Sequence, residues 1–251
     1  MLIQKEIYNN SYTHFTPDYI ELKNISKINK YLHENSESLR VFITKYYNQS
    51  QHTYNMKQLS VLELGCGVGA LSYFLKDNFM FHTGVDFSEM AIMAARSIST
   101  LKENELNLKV MDVTNHDSTL DLRYDCVVDS HLFHCLTDQK ARVNYLEFVK
   151  RHLNPSGQLL IECMAFQPKL QTPVGYSFDE NYILFKEFGS KNIAIRTIQL
   201  SRDIEKTLHD NGFRIDYLYF HHELSFNIFD EYKDYPAEFL PKTIRLVATK
   251  I

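Results

Sequence analysis

Val61-Leu62-Glu63-Leu64-Gly65-Cys66-Gly67-Val68-Gly69-Ala70-Leu71 is the stretch that decides the fold. An apolar run of Val61, Leu62 and Leu64 ends abruptly in Gly65, Gly67 and Gly69. Glycine there admits positive φ and lets a ligand approach a backbone that carries no Cβ. Ala70, Leu71, Phe74 and Leu75 follow at helical spacing. A helix that starts directly behind such a turn offers free N–H groups and the positive end of its dipole. Glycines so spaced can make a plain tight turn, but strand, glycine turn and helix in that order favour a nucleotide-type binding site.

Downstream the same alternation repeats. The run 81–86 reads as a strand ending in Asp86, and Ser88 caps the helix that carries Met90, Ala94 and Ile98. The run 108–113 reads as a third strand and contains Asp112; 124–129 is a fourth and ends in Asp129. Asp138 caps a helix that runs to about His152, Asn154-Pro155-Ser156-Gly157 reads as a turn, and 158–164 is a fifth strand. Residues 213–224 and 243–249 read as closing strands, after a helix capped by Ser201 that stops at Asn211-Gly212. Short apolar strands alternating with helices predict an α/β fold: a seven-stranded, mostly parallel, doubly wound sheet. Ligands bind such sheets outside the carboxyl ends of the strands. Gly65, Asp86, Asp112 and Asp129 all fall there.

Two regions stand outside the alternation. Residues 1–55 are polar and aromatic and read as an N-terminal helical cap in front of a core at 56–251. Within the cap, one short helix carries Ile25, Ile28 and Leu32, and Ser36 caps a second with Leu39, Phe42, Ile43 and Tyr46. Residues 165–200 are an insertion, a β-hairpin around Gly189-Ser190-Lys191 that is either a lid over the site or an extension of the sheet.

The chain has 251 residues, a net charge of −4 and no basic stripe, which argues against a nucleic-acid partner. Its four cysteines form no CxxC pair and read as free thiols of a reducing compartment. There is no basic segment followed by an apolar core at Met1-Leu2-Ile3-Gln4-Lys5-Glu6, and no run of membrane-spanning length. A cytoplasmic protein without a membrane partner is the expectation.

Glu63-x-Gly65-x-Gly67-x-Gly69 resembles the first motif of the class I S-adenosylmethionine-dependent methyltransferases, whose sheet is Rossmann-like. Val85-Asp86-Phe87-Ser88 with Met90 resembles the second motif of that superfamily, Asp112-Val113 the third and Asp129-Ser130-His131-Leu132 the fourth. Leu153-Asn154-Pro155-Ser156-Gly157 is similar to its leucine-x-proline-glycine-glycine turn, with Ser156 in place of a glycine. The resemblance spans about residues 58–165 and implies S-adenosylmethionine as cofactor. It also implies roles. Gly65, Cys66 and Gly67 would admit the methionine and ribose parts, and Glu63 would orient their loop. Asp86 would accept from the ribose diol, since an ionised carboxylate offers two acceptors and no donor. Phe87 and Met90 would cover the adenine, unless they are ordinary helix-packing residues. Asp112 and Val113 would meet the adenine edge, and Asp129 and Ser130 the methionine end. Tyr12 and Phe15 would be pocket walls contributed by the cap.

Methyl transfer asks the protein to hold a nucleophile in line with the methyl and to exclude water. A base is needed only where the acceptor must lose a proton. His131 and His134, just past the fourth strand, are candidates; His134 reads equally well as a structural residue. His14 is a third candidate. With Cys135 the two histidines lack a fourth metal ligand, so no metal is expected. His221 and the adjacent His222 point to opposite faces of a strand, which argues against a joint role.

The expected activity is methylation of a small-molecule acceptor at O, N or S. The fourth motif is not the Asp/Asn-Pro-Pro-aromatic form associated with methylation of base amino groups. Two alternatives stay open: an NAD(P)-dependent oxidoreductase built on Gly65, Gly67 and Ala70, and a non-catalytic cofactor- or partner-binding protein on the same fold.

Overall fold

The computed structural model describes residues 12, 25–49, 55–221, 232 and 234–251. Its centre is a seven-stranded sheet of order β3-β2-β1-β4-β5-β10-β9. The strands are β1 (Ser60–Leu64), β2 (Phe81–Asp86), β3 (Leu108–Val110), β4 (Tyr124–Asp129), β5 (Leu153–Ala165), β9 (Phe213–His221) and β10 (Lys242–Lys250). The first five pair in parallel, and β10 runs antiparallel between β5 and β9. Strand order reverses between β1 and β4, so the ends of these two strands open the crevice that α/β sheets use for ligands.

Alternation along the strands gives each face its own core. Leu62, Leu64, Val127, Leu159 and Ile161 face one side, where α4 (Gln139–His152) and α5 (Ser201–Asp210) cover them with Tyr145, Phe148, Ile204 and Leu208. Val61, Cys126, Val128 and Leu160 face the other, against α1 (Ile25–Gln49) and α2 (Ser72–Asn78). Each fully buried leucine or phenylalanine contributes about 1.5–3 kcal/mol. The helix α3 (Glu89–Leu101) packs Ile92 and Ala95 against Cys66 and Leu108.

Several local expectations are corrected. The two short N-terminal helices are one helix, α1, uninterrupted by glycine or proline. Ser36 does not cap it; its hydroxyl is buried mid-helix and donates to the Leu32 carbonyl at 2.8 Å. Leu39, Phe42, Ile43 and Tyr47 form one apolar stripe on α1 that lies on the sheet, so this part of the expected cap belongs to the core layer. Asn154-Pro155-Ser156-Gly157 is a bulge at the start of β5, with Ser156 at φ +59° and a register shift against β4. Ser201 is the first residue of α5, and Leu200 holds the cap position. Asp138 and Ser88 do cap α4 and α3, accepting from Ala141 N at 2.8 Å and Ala91 N at 3.1 Å.

The insertion carries a separate antiparallel sheet of three strands: β6 (Tyr176–Phe178), β7 (Ile183–Phe188) and β8 (Lys191–Thr197). The expected hairpin is its β7–β8 pair, closed by Gly189 at φ +60° and Ser190. It does not extend the main sheet. No helix among the described residues is long and apolar enough to cross a membrane.

Candidate active site

A cavity of about 290 Å³ opens at the carboxyl ends of β1, β2, β3 and β4. Gly65, Asp86, Phe87, Asp112, Val113, Ser130, His131 and Tyr12 line it, so residues distant in sequence meet at one place. Gly65 and Gly67 take φ of +74° and +53°, conformations costly for other residues. A Cβ on Gly65 would lie 3.1 Å from Leu132 Cβ, and one on Gly67 would lie 3.1 Å from the Tyr12 hydroxyl. The loop therefore threads between the turn after β4 and Tyr12.

Asp86 ties the glycine loop to the start of α3. Its Oδ2 accepts from Gly67 N at 2.9 Å and its Oδ1 from Ser88 N at 2.8 Å. Burial pushes its carboxyl up to about 6; the N–H groups of Ser88 and Gly67 pull the other way, and the charge of Glu63 adds to burial. Glu63 lies beneath the loop, fully buried, and accepts from Ser72 Oγ at 2.5 Å with His82 Nε2 at 3.1 Å. It reaches the cavity only through the backbone it supports. Cys66 points away from the cavity into the packing of Ile92 and Leu108, and burial lifts its thiol well above the ordinary range. Asp112 sits two residues past β3, with Oδ1 accepting from Thr114 N at 2.9 Å and Thr114 Oγ1 at 2.6 Å. Met90 lies in the first turn of α3 and is half-buried, outside the cavity lining.

The fourth strand end departs from the expected pattern. Asp129 is fully buried and does not line the cavity. Its Oδ1 accepts from Leu132 N at 3.0 Å, and its Oδ2 from Phe133 N at 3.0 Å and the Tyr145 hydroxyl at 2.8 Å. Burial pushes it up to about 6 against those hydrogen bonds. Asp129 thus builds the 3₁₀ turn Phe133–Cys135 rather than facing a ligand. Just before that turn His131 takes φ +64°, in the left-handed region that few non-glycine residues adopt.

The three histidines fare differently. His131 lines the cavity, and its Nε2 lies 2.9 Å from Glu162 Oε1. His134 is buried behind the cavity wall, its ring 6.2 Å from that of His131. Burial, then the charges of Arg196, His131 and Arg142, hold its imidazole well below the ordinary range. His14 and Phe15 lie outside the described residues, as do His222 and Glu223.

Sequence reasoning missed the far wall, Leu132 with Cys135 to Asp138 and Ala141. It also missed Glu162, although a carboxylate inside Leu159-Leu160-Ile161-Glu162-Cys163-Met164 was a visible anomaly in an otherwise apolar run. Glu162 is fully buried. Besides His131 it accepts from Ser38 Oγ of α1 at 2.8 Å and Arg245 Nε of β10 at 2.5 Å.

A parallel sheet with this strand order, an antiparallel closing pair and a glycine loop facing a carboxylate on β2 is the fold of the class I S-adenosylmethionine-dependent methyltransferases. Residues 62–159 match the family model of a methyltransferase domain, which places that core in the superfamily. The chain is 33% identical over 164 residues to ribosomal RNA small subunit methyltransferase C of Haemophilus ducreyi, covering 63% of this chain and 44% of that protein. It is 30% identical over 107 residues to the cypemycin N-terminal methyltransferase of a Streptomyces species, covering 41% of each. The chain thus spans less than half the length of these curated relatives. Among solved structures, an S-adenosylmethionine-dependent methyltransferase from Clostridium acetobutylicum superposes with a TM-score of 0.61 at 16% identity, over 89% of this chain and 98% of that one. Similarity at that identity speaks for the fold. S-adenosylmethionine is the cofactor the superfamily uses.

Proposed function

We propose that this protein is an S-adenosylmethionine-dependent methyltransferase that methylates O, N or S of a small molecule. The observation that carries it is the single cavity running from the glycine loop and Asp86 to His131, with Tyr12 over the loop. Gly65 lines the end of the cavity that takes the methionine part of the cofactor, and Gly67 fixes the loop by donating to Asp86. Asp86 accepts from the ribose hydroxyls, Phe87 covers the adenine, and Asp112 takes the adenine amino group.

The sulfonium supplies an activated methyl group. Held by the glycine loop, Asp86 and Phe87, the cofactor would supply that methyl group to an acceptor atom kept in line with it. His131 takes the proton that an O–H or N–H acceptor loses and returns it to solvent. Such a positioned base contributes about 10²–10⁴-fold. His134, neutral and behind the wall, supports the turn.

A net charge of −4, with no basic stripe in the sequence, offers no electrostatic grip on a polyanion. The second reading, an RNA acceptor, is favoured by the name of the Haemophilus ducreyi relative. Incubation with methyl-labelled S-adenosylmethionine and either a small-molecule extract or ribosomal RNA separates the two. Label is expected in the small-molecule fraction; label in the RNA alone would replace the first reading with the second.

A further inference from the structure

We propose that Glu162 is the positioning residue for His131, and that Ser38 of α1 and Arg245 of β10 set Glu162 for that task. The proposal rests on the reading of His131 as the residue that faces the acceptor.

The chain of contacts begins away from the cavity. Arg245 Nε donates to Glu162 Oε2 at 2.5 Å, and Arg245 Nη2 donates to Ser38 Oγ at 2.9 Å. Ser38 Oγ in turn donates to Glu162 Oε2 at 2.8 Å. One carboxylate oxygen is therefore held by two donors from two elements, and Oε1 is left directed at His131 Nε2, 2.9 Å away. A fully buried ion pair is a poor device for stability alone, because desolvation offsets most of the attraction. This one ends on a ring that lines the cavity.

The protonation state follows from the donors. Burial alone would lift the Glu162 carboxyl, but the hydrogen bond and charge of His131, the charge of Arg245 and the Ser38 hydroxyl outweigh it and hold the group below the usual carboxylate range. Glu162 is thus ionised at neutral pH and can only accept. Nε2 must carry the hydrogen, which makes Nδ1 the basic nitrogen of the neutral ring. Were Glu162 protonated it could donate to the ring, and Nε2 would become the accepting nitrogen, already occupied by that hydrogen bond. The backbone supplies the second constraint: Asp129 holds the turn in which His131 takes φ +64°. Backbone and ring are fixed independently, so the imidazole is oriented before any ligand arrives.

The test uses the full chain labelled with ¹⁵N-histidine, without cofactor or acceptor. Long-range ¹H–¹⁵N spectra read the tautomer of each ring, and His131→Asn assigns the His131 signals. The expected wild-type pattern is a single Nε2–H tautomer for His131. In Glu162→Gln, whose amide can either donate or accept, both tautomers are expected. Binding of S-adenosylhomocysteine should stay within about twofold of wild type, and methyl transfer to acceptors found by label incorporation should fall at least tenfold. If Glu162→Gln fails to fold, Ser38→Ala should move the tautomer ratio in the same direction by a smaller amount. An Nδ1–H tautomer in the wild type, or an unchanged pattern in the variants, would overturn the proposal. Loss of S-adenosylhomocysteine binding by the wild type would instead strike the methyltransferase reading and leave the tautomer result standing.

Discussion

Asp86 is the residue on which cofactor binding should depend most. Replacing it with alanine should weaken S-adenosylmethionine binding by about 1.5–3 kcal/mol, the range for charge-assisted hydrogen bonds, as read by calorimetry. Its titration adds a sign. Burial lifts the folded-state carboxyl from 3.8 to about 6, so the ionised form that in our proposal accepts from the ribose hydroxyls is lost as pH falls through about 6. Affinity should drop about tenfold per unit below that point. In Asp86→Asn affinity should be lower and flat with pH; a persisting slope would assign the titration to another group. Stability responds to pH in the opposite sense. A raised folded-state value means that the folded protein binds the proton more tightly, so this group lowers stability as pH rises from about 4 to 6. His131→Asn, whose side chain tolerates positive φ, should keep the fold and cofactor affinity while turnover falls at least tenfold. The glycines and Asp86 were legible because each sits where a strand ends, and chemistry at strand ends is local in sequence. Glu162 was visible as an anomaly without an address, because its partners come from α1, the turn after β4 and β10. Asp129 was misleading. A carboxylate at a strand end can face a ligand or fold back onto the following turn, and the left-handed His131 that decides between the two leaves no sequence signature.

At the scale of elements, the turn after β4 joins the cavity to the rest of the molecule. Arg142 of α4 lays its guanidinium 3.9 Å from the Phe133 ring centroid and donates to the Phe133 carbonyl at 3.2 Å and to Gln199 at 2.9 Å. Thr197 at the end of β8 donates to the Leu136 carbonyl at 2.8 Å. The small sheet of the insertion is thus hydrogen-bonded to the cavity wall. Asp129→Ala would strand the Leu132 and Phe133 N–H groups and the Tyr145 hydroxyl, and should cost about 2–4 kcal/mol in denaturant unfolding. An unfolding midpoint equal to that of the wild type would remove Asp129 as organiser of the turn. Gly84 tests the packing beneath the loop. A Cβ there would lie 2.6 Å from Leu108 Cδ2 and 3.1 Å from Cys66 Cβ. Gly84→Ala should therefore cost about 1–3 kcal/mol by overpacking and weaken cofactor binding by shifting Cys66. The helices and strands of the core were readable from period and punctuation. The union of two N-terminal helices into α1 was not, because Ser36 looks like a cap and acts as a buried mid-helix serine.

For the whole molecule, the sheet of order β3-β2-β1-β4-β5-β10-β9 makes one crevice, and the cavity occupies it. The same glycine loop would serve a dinucleotide fold, so the choice of cofactor is the central claim. With a net charge of −4, binding to ribosomal RNA fragments at physiological salt should be no tighter than the non-specific range of about 10⁻⁴–10⁻⁶ M. The direct measurement is calorimetric titration of the full chain with S-adenosylmethionine, its demethylated product and NADPH. One site per chain for the first two and no heat with NADPH is the predicted result. Binding of NADPH with no binding of either sulfur compound would contradict it.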